Sequence, residues 1–249
     1  MERIKCEVSY DGTNFSGYQV QPNGRTIQED VETALKKLHK GKAVRVHASG
    51  RTDAGVHAKG QVIHFDTNLT IPIKNWTRAL NAVLPEDICV IRSENVAENF
   101  HARYDVVEKE YRYFILNSTQ SDVFNRNFTY HVPNHLDIEA MEEACESMVG
   151  EHDFTSFCSA RSDVKGDKIR TIYHATCYQE GDRIIFVIRG NGFLYNMVRI
   201  LVGTLIEIGK HDRPVSDIRR IIDAKNRENA GKTAPAQGLF LWKVQYNEE

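Results

Sequence analysis

A regular alternation of apolar and polar residues opens this chain and constrains its fold more than any other feature. Every second residue from Ile4 to Tyr10 is apolar, and the residues between them are polar or charged. Such a period of two predicts a strand with one buried face. The next amphipathic segment starts at Thr26, where Glu29 three residues later completes a capping box. The sequence therefore predicts a strand followed by a helix that packs on it.

The order of the following elements predicts an α+β fold. After this first strand and helix, the first half is expected to contain strands at residues 43–47, 61–66 and 88–93, and a helix at 76–84 that stops at Pro85. The order β-α-β-β-α-β is the split βαβ motif of ferredoxin-like folds.

The second half predicts the same order of elements, without a repeat in the sequence itself. These elements are a strand at 111–116, a helix at 138–149 with Gly150 after it, a hairpin of 171–178 and 183–189, helices at 193–208 and about 216–224, and a strand at 239–246. We therefore expect two tandem ferredoxin-like halves, residues 1–100 and 101–249, whose sheets meet around a central cleft.

Composition narrows the class of protein. The N-terminus lacks the apolar core of a signal peptide, and the most apolar helix is too short and too polar to span a bilayer. The five cysteines are scattered without metal-ligand spacing, which favours reduced thiols and no metal site. We expect a cytoplasmic protein. A net charge of −2 weakly disfavours RNA binding unless positive charge is gathered on one face.

The segment from Ser49 to Ala58 carries the most chemical information. Arg51 and Asp53 lie two residues apart among glycine, alanine and serine. Small residues let a bulky partner approach closely, and a carboxylate beside a cation is a candidate nucleophile or base. The alternative is a structural turn in which Asp53 hydrogen-bonds its own backbone.

Arg199 is the second unusual residue, because it is a charged side chain in a predicted helix whose other residues are mostly apolar and expected to be buried. Taking a charge out of water costs several kcal/mol unless the charge is paired. Arg199 therefore either reaches solvent along its own stem or has a carboxylate partner. The functional interpretation is an ion pair with Asp53, which would keep that carboxylate ionised in a desolvated pocket.

A third cluster interleaves aromatic rings with cations. It consists of Phe100, His101, Ala102, Arg103 and Tyr104, followed by Tyr111, Arg112 and Tyr113. Rings and cations in this pattern suit unstacked RNA bases and phosphates. An ordinary strand with one aromatic face in the core explains the second part equally well. His47, His57 and His64 also flank the Asp53 loop, but we expect no metal there.

Together these residues resemble the tRNA pseudouridine synthase A family, nearly from end to end. The matching pieces occur in the family's order, at residues 10–19, 49–58, 100–104, 111–113, 152–157, 192–199 and 234–239. The resemblance implies two tandem ferredoxin-like halves, a homodimer, a tRNA substrate, and neither a metal nor an organic cofactor. It implies conversion of uridine to pseudouridine in the tRNA anticodon stem-loop, typically at positions 38, 39 and 40.

The resemblance also implies a role for individual residues. Asp53 corresponds to the catalytic aspartate and Arg199 to the cation paired with it. Tyr111 corresponds to the aromatic residue that stacks on the target base, and Leu239 to the apolar wall beneath the ring. Arg51 corresponds to a residue that intrudes into the RNA, and residues 100–104 to a segment that touches tRNA. Asp53 could attack C1′, add to C6 of the ring or remove a proton from C2′.

Three alternatives remain at this point. Residues 105–108 are partly acidic where small or basic residues are expected, so a paralogue acting on other RNA uridines is possible. A non-catalytic RNA-binding protein or tRNA chaperone would explain the aromatic and basic residues, but not an aspartate poised to meet an arginine. A hydrolase using Asp53 and His57 would need a helical loop, which Gly55 disfavours.

Overall fold

The computed structural model describes residues 1–159 and 166–247, and the chain forms two compact units. Unit 1 comprises Met1–Val107 and Phe240–Glu249, and unit 2 comprises Glu108–Leu239. Both units combine helices with mostly antiparallel strands, which confirms the α+β class. A compact unit need not coincide with a ferredoxin-like half, so the division after residue 100 stays a prediction.

Unit 1 is a sheet with two helices. Its elements are β1 (Glu2–Tyr10), α1 (Ile27–Leu38), β2 (His47–Ala48), β3 (His57–Thr67), α2 (Ile73–Asn81), β4 (Ile88–Val96) and most of β10 (Leu239–Tyr246). Strand β1 lies between β4 and β3 and is antiparallel to both. Both β2 and β10 pair with β3, β2 antiparallel near His64 and β10 parallel at His57 and Ala58.

The predicted first strand and first helix are confirmed. The alternate side chains from Ile4 to Tyr10 are buried. The Thr26 hydroxyl accepts a hydrogen bond from the backbone N–H of Glu29 at 3.4 Å, which caps α1 as expected. The buried stripe of α1 consists of Ile27, Val31, Ala34 and Leu35.

The other elements of unit 1 exist as predicted but differ in extent. Strand β3 begins at His57 rather than at Gln61, and β4 ends at Val96 rather than at Ser93. Strand β2 covers only His47–Ala48 rather than residues 43–47. A side chain competes with the sheet there, because Val46 donates its backbone N–H to the Glu32 carboxylate at 3.1 Å. Helix α2 begins at Ile73, directly after Pro72, and ends at Asn81 rather than at the residue before Pro85.

Unit 2 also combines strands with helices. Its elements are β5 (Val106–Leu116), β6 (Tyr130–His131), α3 (Ile138–Glu146), β7 (Gly150–Asp153), β8 (Ile169–Glu180), β9 (Arg183–Gly190), α4 (Met197–Gly209) and α5 (Asp217–Ala224). Its strand order is β5-β9-β8-β7, with the short β6 parallel to β5. The predicted β8–β9 hairpin is confirmed, with Gly181 at φ +59° in the turn.

Helix α4 forms the centre of unit 2, and 11 of its 13 residues are buried. It begins at Met197 rather than at Phe193, because Asn196 has a left-handed backbone (φ 61°, ψ 6°) that a helix cannot pass through. Helix α3 ends at Glu146, before the predicted end at Val149, and Gly150 instead begins β7, a strand that the sequence pattern did not predict. None of the helices in the described ranges combines the length and apolar character needed to cross a membrane.

Candidate active site

The segment that carries Asp53 is the loop between β2 and β3 in unit 1. Asp53 accepts a hydrogen bond at its backbone carbonyl from the N–H of Val56 at 3.1 Å, and Gly55 between them adopts φ +76°. This is a tight turn that glycine permits because it has no Cβ. Asp53 is half-buried, whereas Arg51 is exposed. The loop thus holds the carboxylate partly out of water and leaves the neighbouring guanidinium accessible.

A buried polar network lies behind this loop. The hydroxyl groups of Tyr10 and Thr52 are hydrogen-bonded at 2.8 Å. The side-chain amide of Gln61 donates to the Gly50 carbonyl at 2.9 Å and accepts from the Ser49 hydroxyl at 2.6 Å. Sequence analysis did not identify Gln61 as a functional residue. The sequence offered one sign of its role, since Gln61 is an uncharged polar residue directly before apolar residues of the predicted strand 61–66.

The loop after β1 supports the Asp53 loop from another side. Tyr18 donates its backbone N–H to the Thr52 carbonyl at 3.0 Å, and Gly55 donates to the Phe15 carbonyl at 3.3 Å. A Cβ at Gly12 would overlap the carbonyl oxygen of Val56, so the two backbones are in direct contact. The loop that follows β1 therefore supports the candidate site.

His57 contributes to packing at the end of this loop. Its ring is fully buried and stacks on Phe240 with centroids 4.6 Å apart. Its Nδ1 atom accepts a hydrogen bond from the backbone N–H of Gly12 at 3.0 Å. The Asp11 carboxylate also lies 3.2 Å from this Nδ1. His57 thus joins the loop after β1 to the start of β3.

The segment from Phe100 to Tyr104 is a turn anchored in unit 1 by its backbone. Ala102 is fully buried; it donates its N–H to Nδ1 of His64 at 3.1 Å and accepts from the Tyr246 hydroxyl at 2.6 Å. The Phe100 carbonyl accepts from Arg3 at 2.8 Å. Arg103 and Tyr104, by contrast, are exposed, Tyr104 by 75%. The buried part of the turn therefore presents these two side chains to solvent.

Three histidines cluster beside this turn. His64 stacks on His47 at 4.9 Å between ring centroids, and His101 lies 4.8 Å from His64 and 4.3 Å from Tyr104. The pKa of His64 is lowered to about 4, mainly by burial and in smaller part by charge repulsion from His47 and Arg3. Burial also lowers the pKa of His47. The cluster thus contains His101 in place of His57, which the sequence had grouped with His47 and His64.

Arg199 lies in the first turn of α4 in unit 2, and its guanidinium is held in place. Its Nε donates to the Ala234 carbonyl at 2.7 Å, and its Nη1 donates to the side-chain oxygen of Asn196 at 3.0 Å. The backbone carbonyl of Arg199 also accepts from the N–H of Ala234 at 3.0 Å. The left-handed Asn196 that ends the preceding turn is thus one of the groups that orient this cation.

Segment 234–239 connects Arg199 to the other candidate residues of unit 2. The Tyr113 hydroxyl donates to the Pro235 carbonyl at 2.8 Å, and burial raises the pKa of that phenol. Gly238 lies against the Tyr113 ring, since an added Cβ would come within 2.6 Å of it. Leu239 follows at once and is 5% exposed.

Tyr111 occupies β5 two residues before Tyr113. Its ring meets the edge of Phe193 with centroids 5.1 Å apart, and its side chain is buried. Phe193 belongs to the segment before α4 that was wrongly predicted to be helical. Unit 2 therefore carries Tyr111, Arg199 and Leu239, whereas unit 1 carries Arg51, Asp53 and residues 100–104.

Comparison with known proteins identifies the class. The family model described as tRNA pseudouridine synthase matches residues 7–105 and 144–247. The tRNA pseudouridine synthase A of Oceanobacillus iheyensis is 56% identical over 248 residues, which cover 100% of this chain and 98% of that protein. Those of Halalkalibacterium halodurans and Anoxybacillus flavithermus are 56% and 55% identical, covering 96% and 99% of this chain and 91% and 100% of theirs.

Similarity of this extent makes the chain an RNA-modifying isomerase. The chain belongs to the tRNA pseudouridine synthase family. This confirms the resemblance found in the sequence and favours an isomerase over a hydrolase that uses Asp53 and His57.

Proposed function

We propose that this protein converts uridine to pseudouridine in the anticodon stem-loop of tRNA, at positions 38, 39 and 40, with Asp53 as its catalytic carboxylate. The observation that carries the assignment is the construction of the Asp53 loop. A half-buried carboxylate stands on a tight turn that buried hydrogen bonds hold from behind and a second loop supports from the side. The relatives that share the whole length of the chain are named for the same modification of tRNA.

The reaction explains why a carboxylate must be held in this way. The N1–C1′ bond breaks, the uracil turns and C5 bonds to C1′; the hydrogen on C5 leaves as a proton and N1 takes up a proton, so the product is an isomer of the substrate. Attack at C1′, addition at C6 and removal of the C2′ proton all need an ionised Asp53. Arg199 supplies the counter-charge in this proposal, and its guanidinium is already oriented by Asn196 and Ala234.

The remaining candidate residues receive roles in substrate binding. Taking a base out of its stack costs a few kcal/mol, so the enzyme must replace the lost contacts. Tyr111 stacks on the extruded uracil, Leu239 forms the apolar wall beneath it, and Arg51 fills the space that it leaves in the RNA. Within residues 100–104, Arg103 and Tyr104 are exposed and suited to touch tRNA.

The other members of that segment, half-buried Phe100 and His101 and buried Ala102, act differently in the proposal. Phe100 and His101 pack against other rings of unit 1, and the Ala102 side chain is fully buried. They would support the RNA contact by fixing the shape of the turn. Because the turn is already ordered, Arg103 and Tyr104 would contact phosphates and bases with little loss of conformational entropy.

The same proposal covers architecture and partners. We propose two tandem ferredoxin-like halves; within the first, the antiparallel order β4-β1-β3 with β2 beside β3 supports this. The reaction only rearranges bonds within the substrate and therefore requires no redox or group-carrying cofactor. A homodimer in the cytoplasm follows from the family resemblance, and light scattering of the purified protein tests the dimer.

The deciding experiment is tritium release from tRNA labelled at C5 of uridine. We expect release by the native protein and none by Asp53→Asn, with tRNA affinity within a few-fold of native because the substitution is nearly isosteric. Asp212→Asn, which changes an exposed carboxylate in unit 2, is the control and should release tritium like the native protein.

Two results would contradict the proposal. Turnover by Asp53→Asn would remove Asp53 from the chemistry. A native protein that binds tRNA but releases no tritium would be an RNA-binding protein or a chaperone. Transcripts with a single uridine at position 38, 39 or 40 then separate the proposed target from another RNA uridine, since release only from uridines elsewhere would indicate a paralogue.

A further inference from the structure

Gln61 is a fully buried side-chain amide in β3 whose hydrogen-bonding groups are all engaged. Its Oε1 accepts from the Ser49 hydroxyl at 2.6 Å and from the N–H of Val62 at 3.1 Å. Its Nε2 donates to the Gly50 carbonyl at 2.9 Å and to the Tyr10 hydroxyl at 3.4 Å. A buried amide left without partners would cost about 1–3 kcal/mol, so this site demands an amide of this shape.

These partners lie at one place in the chain, directly before Asp53. Ser49 and Gly50 are bonded to Gln61 itself, and Thr52 is bonded to the Tyr10 hydroxyl that Gln61 also contacts. The chain segment directly before Asp53 is thus hydrogen-bonded to two neighbouring strands, to β3 through Gln61 and to β1 through Tyr10. Strands β1 and β3 are in turn paired along nearly their whole length.

The hydrogen bonds that hold the loop differ before and after Asp53. Between Ser49 and Ala58 most residues are small, and Arg51 points to solvent. After Asp53 the loop is held by backbone hydrogen bonds to Phe15 and within its own turn. Before Asp53 the backbone N–H of Ser49 bonds to the Val62 carbonyl, and the Thr52 carbonyl accepts from the N–H of Tyr18. The side chains of Gln61 and Tyr10 add further hydrogen bonds to this segment.

We propose that Gln61, acting together with Tyr10, is a positioning residue that fixes the position and orientation of the Asp53 carboxylate for catalysis. The inference rests on the proposed function, since it assumes that Asp53 does the chemistry. A misplacement of about 1 Å at a reacting group can cost about 100-fold in rate, whereas binding of tRNA depends on many other contacts. Loss of the Gln61 amide should therefore lower the rate of the chemical step and spare affinity.

The test compares Gln61→Met with Thr67→Val. Methionine has a similar length and volume but no amide. Thr67 is a matched control on the same strand: it is 2% exposed, and its hydroxyl bonds to His39 at 2.8 Å and to the N–H of Leu69 at 3.0 Å, away from the loop. Both variants lose buried hydrogen bonds, so both should melt at a lower temperature than the native protein.

The readouts are the single-turnover rate of tritium release at saturating enzyme and the Kd for tRNA, at a temperature where both variants are folded. We expect Gln61→Met to lose about 10- to 100-fold in rate with a Kd within a few-fold of native, and Thr67→Val to keep the native rate. A native rate in Gln61→Met, or equal rate losses in both variants, would overturn the proposal. A loss confined to Kd would do the same.

Substitutions of Thr52 test the same positioning role if Gln61→Met does not fold. Thr52→Ser retains the hydroxyl that bonds to Tyr10, and Thr52→Val removes it. We expect the serine variant to keep most of the rate and the valine variant to lose it, and equal rates in the two would count against positioning. The native protein and Asp53→Asn are measured in the same assay as references. If the native protein is inactive, the proposed function fails; if only Gln61→Met and Thr52→Val behave as native, the positioning role alone fails.

Discussion

Lowering the pH from 7 to 5 is expected to destabilise the folded protein through His64. This histidine is 2% exposed, and burial is the main cause that lowers its pKa from 6.5 to about 4. His47, Arg3 and His101 lower the pKa further, while Asp66 opposes them. Because the folded pKa lies below the unfolded one, the stabilisation is complete above pH 6.5 and is lost as the pH falls towards 4.

The magnitude follows from the width of this window. A pH of 5 lies about 1.5 units below the pKa of the imidazole in the unfolded chain, so that imidazole is protonated there. The imidazole of the folded protein is still mainly neutral at this pH. Each unit corresponds to 1.36 kcal/mol, so the free energy of unfolding should fall by about 2 kcal/mol between pH 7 and pH 5 on account of His64. That is a large part of the 5–15 kcal/mol typical of a folded protein.

The assay is urea unfolding at both pH values for the native protein and for His64→Asn. The side-chain oxygen of asparagine can accept the Ala102 N–H in place of Nδ1, but it does not titrate. The native protein should lose about 2 kcal/mol more than the variant between pH 7 and 5. His135→Asn, at an exposed histidine, is the control and should behave like the native protein.

An equal pH dependence in the native protein and in His64→Asn would refute this reasoning. It would mean that burial does not keep the His64 imidazole neutral in the folded protein. If the reasoning holds, affinity for tRNA should also weaken at pH 5 in the native protein more than in the variant, since His64 anchors the turn that presents Arg103 and Tyr104.

Further perturbations test other parts of the structure. Arg199→Leu should abolish tritium release while tRNA still binds; full activity would exclude the proposed pairing with Asp53. Gly203→Ala should lower the free energy of unfolding by about 1–3 kcal/mol in urea, because the new methyl group overlaps the Lys232 carbonyl oxygen, and native stability would show that this contact relaxes freely. Thr26→Ala should cost about 1 kcal/mol through the lost cap of α1, and Thr26→Ser should not. Affinity for tRNA should fall steeply with salt, and a flat response would mean that few phosphates are contacted.

The parts of the fold that local rules control could be predicted from the sequence. Alternation defined β1, a hydroxyl at the right spacing capped α1, and a glycine marked the turn between β8 and β9. The predictions failed where a distant group intervened. Glu32 takes the Val46 N–H that a longer β2 would need, and the segment from Phe193 to Asn196 leaves the helical path to pack beside Tyr111.

The candidate site divides in the same way. Asp53, Arg51 and Arg199 could be identified from residue type and setting, because an aspartate among glycines and a charge in an apolar helix are unusual locally. The residues that support them could not. Gln61 reaches across 51 positions to Tyr10, and Tyr246 reaches across 144 positions to Ala102. No periodicity or spacing reports contacts of that range.

The sequence by itself determined the class of fold, the buried face of the first strand, the N-cap of the first helix, the family and the charged candidates for the proposed site. Only the tertiary structure decided that Ala102 is buried, that His101 rather than His57 joins His47 and His64, and that Gln61 serves the Asp53 loop. The physical reason is that local propensity acts over a few residues, whereas the partner of a buried polar group is selected by the packing of strands far apart in the chain.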